Sequence, residues 1–133
     1  MYIDNSLLLS DSQVICNAGT ELSTNTIDLG AAKNLSKGKQ LYVVVIIDVS
    51  IDTSTSINFQ VVTDTVEALS SPTVQMETGA IVKDSLTANR APIVIPVGSA
   101  LGVEERYLGM NYVLAGSNNV AGAVTAFVGF DIP

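Results

Sequence analysis

The 133-residue chain contains no histidine and no tryptophan, and Cys16 is its only cysteine. Each absence removes a class of chemistry. Without histidine there is no Ser-His-Asp triad, no Cys-His pair and no His-containing zinc site. A histidine-held metal centre of the cupin kind fails on the same ground. One cysteine closes no intrachain disulfide, so this is not a disulfide-stapled small domain. Cys16 lies in "QVICNAG", beside apolar residues and with no basic partner to activate it. It is expected to be a small buried apolar side chain rather than a nucleophile.

Positive charge is also scarce. Six Lys and Arg stand against thirteen Asp and Glu, for a net charge of −7 and a pI near 4.2. Phosphate backbones demand clustered Lys and Arg, so no nucleic-acid partner is expected. No polybasic stretch suggests an anionic membrane surface. The acidity suits solubility and the choice of a protein partner. The longest apolar run, "LYVVVII" at Leu41–Ile47, falls far short of the ~20 residues of a membrane helix. The start, "MYIDNSLLLSDSQ", lacks the basic leader and long apolar core of a signal peptide, so synthesis in the cytoplasm is expected.

Other chemical motifs are equally thin. A phosphate loop needs Gly-x-x-x-x-Gly-Lys-Ser/Thr, but "GAAKNLSKGKQ" has Gln40 after Gly38–Lys39 and Gly30 too far upstream. Lys33, Lys37 and Lys39 read as a solvated turn. Asp48 and Asp52 flank "VSI", and Glu104–Glu105 are adjacent. Paired carboxylates can cleave glycosides, but such sites also want aromatic platforms. At a strand end beside a Ser/Thr turn, Asp48 and Asp52 are expected to cap the turn, with weak Ca²⁺ binding as the lesser reading. "NLS" at Asn34–Ser36 matches a glycosylation acceptor and means nothing without a secretory leader. No metal and no cofactor are expected.

What is present is apolar and β-prone. The composition is 47% hydrophobic and 14% charged, too apolar for disorder. Its length suits a single domain, 1–133, burying roughly two-thirds of its unfolded surface, with residues 1–12 as an N-terminal arm. Apolar residues follow period two, Val, Ile and Thr abound, and turn clusters recur at short spacing. The expected fold is all-β, an antiparallel two-sheet sandwich of about eight strands.

Leu41–Val49 is apolar on both faces up to Asp48, which suits a central strand covered on both sides. Ile57–Thr63 points Ile57, Phe59 and Val61 inward and Asn58 and Gln60 outward. Thr73–Glu77 and Ile93–Val97 are shorter strands. Pro92 and Pro96 put the latter at an edge or beside a bulge. Thr65–Leu69 reads either as a helical turn or as a loop packing under the sheets.

"RYLGMNYVLAGSNNVAGAVTAFVGF", Arg106–Phe130, reads as a β-hairpin with one greasy face. Leu108, Met110, Tyr112 and Leu114 share a face, as do Val124, Ala126, Val128 and Phe130. Asn118 and Asn119 are expected to supply left-handed backbone in its loop. Strands of about ten residues span about 33 Å and belong at the centre of the sheets. The remaining candidates are surfaces. Tyr107 and Asn111 fall on the less apolar face of their strand, and Tyr2 and Ile3 sit near a terminus. These four are the interface candidates, although each could instead cover its own core.

The order of the pieces carries a resemblance. "SLLLSDSQVI", "STNTIDLGAA", "GKQLYVVVIID", "INFQVVTD", "SSPTVQMETGAI", "RAPIVIPVG" and the closing "ERYLGMNYVLAGSNNVAGAVTAFVGF" together resemble the jelly-roll cement, or decoration, proteins on the capsids of some tailed bacteriophages. The resemblance implies a jelly roll and a non-enzymatic virion protein on the outer face of the capsid. It implies self-association, as a homodimer, and the bridging of major capsid subunits against the pressure of packaged DNA. The alternative reading is a sugar- or receptor-binding β-sandwich on a virion or cell surface. That reading expects an exposed patch of tyrosines beside Asp or Asn.

Overall fold

A computed structural model describes residues 7–33, 41–97 and 105–129, the side chains of 31–33 excepted. Nine strands follow in order: β1 (Leu8–Val14), β2 (Gly19–Leu22), β3 (Ile27–Lys33), β4 (Leu41–Val49), β5 (Ser56–Asp64), β6 (Thr73–Val82), β7 (Ile93–Val97), β8 (Glu105–Ala115) and β9 (Ala123–Gly129). One sheet runs β1-β9-β4-β7. The other runs β2-β8-β5-β6, with β3 also paired to β8. Every pairing is antiparallel.

This is a jelly roll. β2 and β3 lie end to end along β8, with Leu22 opposite Asn111 and Ile27 opposite Leu108. They form one interrupted strand of the roll, which is why nine strands occur where about eight were expected. At the break, Ser23 N–H still donates to Met110 O at 2.8 Å. Residues 8–12, grouped with an N-terminal arm in the sequence reading, begin β1.

The core lies between the sheets. Val43, Val45 and Ile47 of β4, with Val124, Ala126 and Val128 of β9, face Ile57, Phe59 and Val61 of β5 and Leu108, Met110, Tyr112 and Leu114 of β8. The Phe59 and Tyr112 rings meet edge to face, with centroids 5.8 Å apart at 80°. Such pairs contribute about 0.5–1.5 kcal/mol beyond their burial. β4 is fully covered on its core face and only partly on the other, where Val44 is fully buried beside Phe127 but Tyr42 and Ile46 are half-buried. β7 is an edge strand carrying Pro96, as its two prolines imply.

Arg106–Phe130 is not a hairpin. β8 and β9 belong to opposite sheets, and their apolar faces meet across the core. Period-two alternation reports which way each side chain points, but not which strand lies alongside. The intervening loop arches from sheet to sheet on glycine. Gly116 has φ +85°, and a Cβ there would sit 2.4 Å from Thr55 Oγ1; Gly122 has φ +155°. Asn118 and Asn119 are not left-handed. Among the described non-glycine residues only Ser12 and Leu69 have positive φ. Phe130 lies outside the described residues.

Thr65–Leu69 forms no helix. It is a loop over the outside of the five-stranded sheet, where Leu69 is buried against Gly109. A Cβ on Gly109 would meet Leu69 Cδ1 at 2.4 Å, so the glycine makes room for this cover. No helix among the described residues is long and apolar enough to cross a membrane.

Candidate functional site

The carboxylates and amides that sequence reading treats as chemistry mostly tie loops to the sandwich. Asp52 accepts from Val120 N–H and Ala121 N–H, both at 3.0 Å. Burial works to raise its pKa, but bonds from the Thr53 hydroxyl and these backbone donors outweigh it, and the pKa falls below the ordinary value. Asp48 accepts from the Thr125 and Ser12 hydroxyls. Thr125 Oγ1 in turn accepts from Ser12 N–H at 3.0 Å, holding the bulge of β1. The two aspartates therefore serve different segments: Asp52 bonds the Thr53 hydroxyl of its own turn, as expected, and the loop before β9, whereas Asp48 ties β1 to β9 instead of capping the turn.

Asp64 holds the loop after β5. Ser71 N–H donates to it at 2.9 Å and Thr65 N–H at 2.6 Å, and these bonds, Ser71's first, lower its pKa against the opposing effect of burial. Asp28 forms a two-pronged ion pair with Arg106, Nε–Oδ1 2.7 Å and Nη2–Oδ2 2.9 Å. The pair, helped by Gly30 N–H, holds the Asp28 pKa down at about 2. Among the described residues no three His, Cys, Asp or Glu side chains gather where they could hold a metal ion.

Asn119 ties together segments far apart in the chain. Its Oδ1 accepts from Thr53 N–H at 3.1 Å and Ser54 N–H at 2.7 Å, and its Nδ2 donates to Ile15 O at 3.1 Å. One buried side chain thus joins three segments at one end of the roll. Cys16 lies beside it and is half-buried rather than buried, with its thiol 3.9 Å from Val120 O.

Of the four interface candidates, Tyr2 and Ile3 lie outside the described residues. Tyr107 and Asn111 both point outward from β8. Tyr107 is half-buried, with the Arg106 guanidinium 5.3 Å from its ring centre. Asn111 is only 6% exposed, so it is not a protruding contact residue. Its setting is nevertheless unusual. On the outer face of the five-stranded sheet Asn111 stands opposite Gln60, which stands opposite Glu77. Asn58, two residues along β5, donates to Glu77 Oε2 at 3.1 Å, and Gln60 donates to the same oxygen at 2.8 Å. Asn58 Oδ1 and Asn111 Oδ1 are buried without a hydrogen-bond partner among the described residues.

The same face bears a shallow groove of about 450 Å³, with Leu22, Ser23, Thr24 and Thr26 on one side and Glu67, Ala68 and Leu69 on the other. It is open and holds no convergent set of catalytic groups. A family model described as Bbp16 matches residues 9–128. The chain belongs to the Bbp16 family. No curated protein matches it.

In this Bbp16-family chain, sequence reading missed two features. The Asn58–Gln60–Glu77–Asn111 arrangement depends on the register of β6, β5 and β8. The outward Asn58 and Gln60 were legible from alternation, but their neighbours across the strands were not. Asn119 was singled out for its backbone, whereas its side chain does the work. Its position between Gly116 and Gly122 was the available signal, because a loop so rich in small residues needs an internal anchor.

Proposed function

We propose that this Bbp16-family chain is a structural virion protein, an outer-capsid cement protein that bridges major capsid subunits and stabilises the icosahedral shell. The observation that carries the reading is where the polar groups go. Asp28, Asp52, Asp64 and Asn119 hold loops and strand ends to a closed two-sheet core, which yields a stiff block with two broad outer faces. A clamp needs that stiffness, because a compliant domain would stretch with the seam it spans. The jelly-roll topology and the ordered segments resembling cement proteins support the same reading. The acidic balance fits a protein on the outside of a shell, away from packaged DNA.

The sugar-binding alternative wants exposed tyrosines. Tyr112 is in the core, and the Tyr107 ring is partly taken up by Arg106. The capsid reading is tested by co-sedimentation with assembled, expanded shells of the cognate major capsid protein. The chain is expected to pellet with shells and not with free capsid subunits, and to raise the temperature at which shells break. Failure to pellet, with no protection against heat, overturns it.

A further inference from the structure

The capsid reading leaves open which surface meets the shell. Resting on that reading, we propose that the docking face is the open part of the outer five-stranded sheet around Asn58, Gln60, Glu77 and Asn111, and that it takes a donor-rich, positively charged protein surface.

The loop over Leu69 covers one end of this sheet, above Gly109 and Val62. Among the described residues no loop covers the other end, and there the donors and acceptors do not balance. The Asn58 and Gln60 amide N–H groups both donate to Glu77 Oε2. The carbonyls of Asn58 and Asn111 are left buried, with no hydrogen-bond partner among the described residues. A buried acceptor without a donor is rare in native proteins and calls for a partner. The patch therefore presents unfilled acceptors and a carboxylate, with the Asn58 and Gln60 donors committed to Glu77.

Charge points the same way. Glu77 is exposed on the edge strand β6, at the margin of the patch. Three cations whose side chains are described are engaged elsewhere: Arg106 with Asp28, Lys83 with Asp52 O, and Arg90 with Ser85 O and Ala91 O. A second copy related by a twofold axis would set two Glu77 carboxylates and the same unfilled carbonyls against each other, between chains each carrying −7. Lys, Arg or backbone N–H groups of a different protein would satisfy them. Val82 (57% exposed) and Leu22 (38% exposed) flank the patch as apolar contacts.

The test is co-sedimentation with cognate shells using Glu77→Lys, Val82→Lys and Val14→Lys. Val82 and Val14, the latter 63% exposed on the four-stranded sheet, receive the same added charge at similar exposure on opposite sheets. Glu77→Lys and Val82→Lys are expected to weaken shell binding at least tenfold, and Val14→Lys to leave it within twofold. Circular dichroism of each variant establishes folding, and Val82→Lys covers the case in which losing the Glu77 bonds disturbs β6. If the unaltered chain pellets and both patch variants bind as it does, or Val14→Lys alone loses binding, the face assignment is overturned while the capsid reading stands. If the unaltered chain fails to pellet, the capsid reading itself falls and the assignment with it. Sedimentation velocity of the free proteins tests the occupant. Dissociation of a dimer by Val82→Lys identifies a second copy on this face and overturns the assignment of a donor-bearing partner.

Discussion

Replacing Asn119 separates two accounts of the arch between β8 and β9. If its contribution were left-handed backbone, Asn119→Gly would be neutral, because glycine adopts that conformation freely. The structure makes it a side-chain clamp. Truncation leaves Ser54 N–H and Ile15 C=O buried without partners and Thr53 N–H partly so. A buried backbone group left unpaired costs about 1–3 kcal/mol. With two buried groups and one half-buried, the loss comes to roughly 3–5 kcal/mol. For a domain of this size that lowers Tm by about 10–20 °C. Asn119→Ala and Asn119→Gly should therefore fall together, as measured by calorimetry or thermal circular dichroism. Asn119→Asp keeps an acceptor oxygen for both N–H groups but cannot donate to Ile15 O, so it should not restore full stability. A Tm for Asn119→Gly within 3 °C of the unaltered protein, on the same scale of about 3–5 °C per kcal/mol, would refute the clamp.

Asp28, Asp52 and Asp64 all have folded-state pKa values below the ordinary 3.8. Between the two values the unfolded chain binds more protons than the folded one, so their stabilisation is present above 3.8 and lost as pH falls toward the Asp28 value of about 2. Tm measured against pH should drop through that window, and Asp28→Asn should make the drop shallower. Burial raises the Tyr112 pKa despite its bond with Ser10; in an alkaline titration followed by ultraviolet absorbance, Tyr112 should ionise only as the fold opens. Tyr112→Phe should cost about 1 kcal/mol in denaturant unfolding, because Ser10 keeps its bond to Gln13. Gly109→Ala presses on the flexible end of Leu69 and should cost about 1–3 kcal/mol, with faster proteolysis at residues 65–71 as the readable sign.

The legible parts of the fold were those that one strand determines alone. Alternation in Ile57–Thr63 placed Phe59 inside and Gln60 outside, and prolines marked both the extent and the edge position of Ile93–Val97. The apolar run at Leu41–Ile47 announced a strand inside its sheet, with an outer face that is only partly covered. Pairing was not legible in the same way. β8 and β9 each show one greasy stripe, and two such stripes suit a hairpin or an arch equally well. The second half of β6 was missed because Gly79, at φ +75°, breaks the pattern without ending the strand. The amide patch escaped notice for a related reason. Asn111 looked like an exposed contact residue, but its neighbours across two strands bury it and leave its carbonyl without a donor.

Electron cryo-microscopy of cognate shells assembled with and without this chain tests the central claim most directly. The account predicts added density of jelly-roll size on the outer surface, spanning the seams between neighbouring capsid subunits, with the five-stranded sheet turned toward the shell. Shells that look the same with and without the chain would contradict it.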